Sequence, residues 1–143
     1  MLSRTADCLY WMARYTERAE NTARLLDVAY QTSLMPQPTE FREKNWKKLL
    51  NLSLLEQVFA KKYTSYARAN ILEFMINDAD NPSSIVTCLN SARLNARIIR
   101  GKIPSEVWET QNLTWMNLDK FLPDHPNQDP SAFLEWVKYR CHR

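Results

Sequence analysis

The chain has 143 residues, a formal net charge of +3 and a single glycine against seven prolines. A soluble protein of this length ordinarily holds about ten glycines, so hairpin-rich, sandwich and nucleotide-loop architectures, which draw on positive-φ turns, are close to excluded. Gly101 alone cannot build a phosphate cradle. A mildly basic balance, with 45% hydrophobic and 24% charged residues, is that of a folded globule and does not favour nucleic acid.

From Arg4 to about Ser33 no glycine or proline interrupts the chain, which predicts a first helix of roughly 45 Å with Ser3 as its N-cap. Pro36 and Pro38 end the connection, and Thr39 with Glu40 opens a second helix to about Leu52. Ser53-Leu-Leu-Glu56 is a capping-box pattern, so a third helix is expected to restart there and run to about Lys62. A fourth follows from Tyr66 to Ile76, with Ser65 as its cap. Asp78 to Ser84 is a turn, with Pro82 where the first residue of a helix tolerates proline. That fifth helix should reach Arg100 and stop at Gly101, the one αL-ready residue. Pro104 and Ser105 start a sixth helix lasting to about Phe121. Leu122 to Asp129 holds Pro123 and Pro126 and is a loop, after which Asp129 and Pro130 cap a final helix still in progress at Arg143. The expected fold is all-α: a single domain over residues 1–143, a bundle of six or seven helices with a long first helix.

No apolar h-region follows Arg4 and Asp7, and no apolar run approaches the roughly 18 residues of a membrane span. Cys8, Cys88 and Cys141 are odd in number and lack Cys-x-x-Cys spacing, which implies reduced core thiols and a cytoplasmic location. His125 and His142 have no partner at ligand spacing, so neither a metal nor a cofactor is expected. Glu17 with Glu20, and Glu106 with Glu109, read as solubilising charges. The five tryptophans read as packing anchors.

On a helical wheel Met12, Ala19, Ala23, Leu26 and Tyr30 fall within about 60°, a core-facing stripe. Arg14, Glu17, Arg18, Asn21 and Arg24 share about 120° on another side, with Tyr10 and Val28 among them. The cations there are all arginine, whose planar forks suit carboxylate or phosphate. Three readings stay open: a solvated face with i,i+4 pairs, an interhelical network, or a ligand site. The fifth helix repeats the theme, with Asn90, Arg93, Arg97 and Arg100 on about 80° of its circumference. Asn95 lies toward the apolar side and needs a partner for its amide. Glu17 and Asp7 are candidate anions for the three arginines, and an acidic ligand could complete the set.

The opening string from Met1 to Val28, the stretch Asp80-Asn-Pro-Ser-Ser-Ile85 running into Ala92-Arg93 and Asn95-Ala96-Arg97, and the string Ala132 to Lys138 occur in order. They resemble the bacterial alpha-E family, an all-helical domain of unknown function named for a Glu-Arg motif, here Glu17-Arg18. The likeness covers nearly the whole chain and is loosest between Gln37 and Lys62. Members are about twice as long, so the chain resembles an N-terminal half, either a fragment or one completed by self-association as a homodimer. Members are also encoded beside or fused to ATP-grasp ligases and transglutaminase-like peptidases. The resemblance therefore implies a non-enzymatic partner or scaffold in a peptide-modifying system, which takes a ligase or an acidic, peptide-like substrate on its arginine ridges. The alternatives are an enzyme of the same pathway, using Glu17 as acid/base with Arg18 or Arg93, and, less favoured by the modest charge, nucleic-acid binding.

Overall fold

The computed structural model describes residues 3–125 and 128–142. Among them run seven α-helices: α1 (Ser3–Ser33), α2 (Thr39–Leu52), α3 (Glu56–Ala60), α4 (Arg68–Asn77), α5 (Ile85–Ile98), α6 (Ser105–Phe121) and α7 (Ser131–His142). A 3-10 turn at Arg100–Lys102 separates α5 from α6.

The rod around which the rest assembles is α1. It packs most extensively on α5, next on α7, and also meets α2 and α4, while α6 lies between α5 and α7. Helices α1, α5, α6 and α7 thus close a four-membered ring, and α2 to α4 form a cap inserted between its first two members. Polar bonds give the ring its sense. Gln31 Nε2 donates to Ser131 Oγ at 3.4 Å and Lys138 Nζ to Asp27 Oδ2 at 2.9 Å, so α1 and α7 are antiparallel. Arg140 Nε donates to Thr114 Oγ1 at 3.0 Å, while Phe121 and Trp136 stack at 4.7 Å, so α6 and α7 are antiparallel too.

The stripe Met12, Ala19, Ala23, Leu26 and Tyr30 is buried throughout. Ala92 and Ala96 are fully buried on α5, and small side chains on both members of the main pair let the rods approach closely. Under the cap, Phe59 stacks on Tyr63 and Tyr66 and meets Phe74 edge-on, with ring centroids 4.9, 5.3 and 5.2 Å away. Only one of the five tryptophans, Trp46, is buried; Trp11 is exposed and the other three are half-buried. Cys8, Cys88 and Cys141 are free and buried. Burial pushes the Cys88 thiol up to about 11 against the opposing charge of Arg18, and the Cys141 thiol to about 12.

Several helix ends differ from those expected. Helix α1 already includes Ser3. Ser53 does not begin α3 but closes α2, in right-handed conformation. The next residue, Leu54, adopts φ 59°, its N–H donates to Asn51 O at 3.1 Å, and Leu55 N–H donates to Leu50 O at 3.0 Å. This is a Schellman ending with leucine where glycine is favoured. Glu56, freed from a capping box, accepts from Tyr66 OH at 3.1 Å and pairs with Lys47 at 3.7 Å. Helix α4 starts behind Ala67 instead of Ser65. Pro82 stays in the turn and Ser84 is the N-cap of α5, its Oγ accepting from Thr87 N–H at 3.2 Å. Gly101 has no positive φ; it lies inside the 3-10 turn. At α7, Asp129 Oδ1 accepts from Ser131 N–H at 2.9 Å, in keeping with its expected capping role.

The turn into α5 is held by two buried polar residues. Asn81, with no exposure, donates from Nδ2 to Phe74 O at 3.0 Å and accepts from Ser83 N–H at 3.0 Å. Asp78, 3% exposed, accepts from Tyr63 OH at 2.8 Å, Asp80 N–H at 2.9 Å and Lys62 Nζ at 3.0 Å. Burial opposes its charge, but these three donors outweigh it and hold the carboxyl below its usual value.

Leu54→Gly should raise the unfolding free energy in urea by about 1 kcal/mol, since glycine takes the left-handed region without a Cβ clash. Asp78→Ala should lower it by about 2–3 kcal/mol at pH 7, leaving Tyr63 OH and Asp80 N–H without their acceptor. Because the folded-state pKa is depressed, that advantage is complete above the unfolded carboxylate pKa and fades as pH falls through the folded one. Wild-type and variant stabilities should therefore converge in acid.

Candidate functional site

Except for Arg100, which opens the 3-10 turn, both arginine stripes lie on regular α-helix, so side chains three or four apart share a face. On α1 the pairing is largely local. Arg14 Nη1 meets Glu17 Oε2 at 3.4 Å, and Arg24 grips Glu20 through Nη2 at 2.7 Å and Nε at 3.1 Å. Arg18 turns back over the Tyr15 ring, 5.5 Å from its centroid, continuing an aromatic ladder from Tyr10 through Trp11. Glu17 and Arg18, adjacent on the helix, point apart and do not pair with each other. Arg14, Glu17, Arg18 and Asn21 nevertheless line one open hollow of about 230 Å³, with Ser53 on its far side. Arg24 is not part of it.

The α5 stripe is different. Arg93, half-buried, donates from Nε to Asn112 Oδ1 at 3.1 Å and lies 5.9 Å from the Trp108 ring centroid. Arg100 approaches the same ring from the 3-10 turn, also at 5.9 Å. Arg97, exposed, completes the row. Among the described residues no carboxylate lies within ion-pair distance of Arg93, Arg97 or Arg100. The expectation that Glu17 or Asp7 would serve them is therefore corrected: Glu17 is committed to Arg14, and no ion pair or hydrogen bond joins the two stripes among the described residues. Asn95 finds its partner on its own helix, donating to Ser91 O at 2.8 Å, and Asn90 is half-buried beside the row.

One feature was missed in the sequence: beyond Leu25 the α1 face turns apolar and forms a second groove with α2, about 330 Å³ in volume. Its signal was Val28, an apolar side chain inside an otherwise polar arc. Among the described residues no three His, Cys, Asp or Glu gather as metal ligands, and no helix is long and apolar enough to cross a membrane.

A ring of antiparallel helices with a capped end and arginine ridges defines an all-helical domain. The whole chain, residues 1–143, matches the Alpha-E family, described as a predicted alpha-helical domain with a conserved ER motif, and it belongs to that family. Glu17-Arg18 is the one Glu-Arg step in the sequence. It is similar to the uncharacterised proteins Mb2597 of Mycobacterium bovis and MT2643 of Mycobacterium tuberculosis, each 28% identical over 141 residues. These alignments cover 89% of this chain and 15% of each relative's own length. No solved structure matches.

Arg18→Ala should change stability by no more than about 0.5 kcal/mol, as a partly exposed cation over one ring. Arg93→Ala should cost about 1–2 kcal/mol through its link from α5 to α6. Urea titrations of the two variants check this ordering.

Proposed function

We propose that this domain is a non-enzymatic binding partner in a peptide-modifying system, holding an ATP-grasp-type ligase or its acidic, peptide-like substrate on the α5–α6 ridge. The observation that carries this reading is the row Arg93, Arg97 and Arg100, three guanidinium groups without a carboxylate partner among the described residues. Asn112 fixes the first fork, and Trp108 gives the row a flat apolar flank. Guanidinium forks so arranged can take carboxylates in two parallel hydrogen bonds, and the ring offers a surface for the peptide between them. A transglutaminase-like partner would present the same chemistry only if its contact surface were acidic.

The catalytic alternative assigns Glu17 as acid/base. Its carboxylate side chain is 58% exposed and faces Arg14, which suits a surface pair better than a water-excluded proton donor.

Arg97→Glu reverses charge at an exposed position without disturbing packing. It should weaken binding of a hexaglutamate peptide at low salt by about tenfold, read by calorimetry, and binding should fall steeply as salt is added. Unchanged affinity would remove the ridge from the reading.

A further inference from the structure

The two hollows on α1 adjoin at Leu25, which lines both, and follow one another along the helix as a two-part trough. From Arg14 to Thr32 it runs roughly 27 Å at helical rise, the length of an 18-residue helix. Its two halves differ in chemistry. Toward the N-terminus of α1 the wall is Arg14, Arg18 and Asn21. Toward the C-terminus the wall is Leu25, Val28, Trp46, Leu49 and Leu52, rimmed by Arg42 and Lys48. Val28 is 66% and Leu52 71% exposed, an apolar surface left open to water. Four cations line the trough against one carboxylate, Glu17, which Arg14 already engages.

Leu54 supplies an independent observation. It directly follows Leu52 and Ser53, which line the two halves, and it holds a leucine side chain 88% exposed on a left-handed backbone. Glycine would relieve that strain, whereas leucine adds exposed apolar surface next to the trough, though it lines neither hollow.

We infer that the trough is a docking site for an amphipathic α-helix of a partner protein, with a leucine-type face for the Val28–Leu52 half and acidic residues for the cations. A concave channel between helices accepts a helix as an additional packed rod. A second copy of this chain is a poor occupant, because a two-fold contact through this face would set its four cations against the same four. A flat lipid surface would rest on Val28 and Leu52 and leave the channel of about 330 Å³ between α1 and α2 unfilled.

The test uses a fluorescent 18-residue helical peptide with leucines at i, i+3, i+4 and i+7 and glutamates on the flanks, alongside a lysine-flanked analogue and a scrambled control. The glutamate peptide should bind with micromolar affinity by anisotropy, at least about tenfold tighter than either control. Val28→Asp, at an exposed position, should abolish binding with unchanged circular dichroism. Leu54→Gly should weaken binding severalfold while raising the melting temperature, a divergence that general loosening would not produce. Arg97→Glu should leave this binding intact, which separates the trough from the α5–α6 ridge. Equal binding of the lysine or scrambled peptide overturns the inference, as does indifference to Val28→Asp. So does a Val28→Asp effect seen instead as loss of a dimer in sedimentation, or as release from phosphatidylglycerol vesicles.

Discussion

A carboxylate that is almost entirely withdrawn from water, Asp78, ties the short helices to the bundle. Its three donors come from the turn after α3, the aromatic stack beneath the cap and the turn into α5. Beside it Asn81 donates to the Phe74 carbonyl in the last turn of α4 and accepts from Ser83 N–H on the way to α5. A buried charge is tolerable only when so completely bonded, and the completeness is what fixes direction. Chain entering α5 at another angle could not lay Ala92 and Ala96 along α1. The ring of long helices and the cap over its end therefore share one polar joint, and the α5–α6 ridge starts from it.

Much of this was legible in residue spacing. The apolar stripe of α1, the long uninterrupted helices and the capping by Asp129 follow from periodicity and from where proline stands. Helix ends were harder. Ser53-Leu-Leu-Glu56 carries a start signal, yet burial of Leu50 and Leu55 requires a reversal there, and a chain with one glycine makes that reversal with leucine. Gly101, the residue best suited to such an ending, is spent in a 3-10 turn. The depth of Asp78 had no local signature, because its donors Lys62 and Tyr63 come from another stretch of chain.

The arginine stripes were legible as faces but not as partnerships. Spacing puts Arg14 near Glu17 and Arg24 near Glu20, and the structure pairs them so. It could not say that Arg93 and Arg100 converge on one ring from another helix, since Trp108 lies beyond the turn. The chain spans about one seventh of the mycobacterial proteins it matches, so surfaces open here have much additional protein to meet in such relatives.

The sulfur atoms carry a consequence of their own. With Cys88 at about 11 and Cys141 at about 12, both remain un-ionised at neutral pH, Cys88 without exposure and Cys141 nearly so. An alkylating reagent reaches Cys88 only while the helices part, so the speed of its labelling becomes a native stopwatch for breathing motions. Cys8, near the opposite end of α1 from the cap, times the other extremity of the molecule.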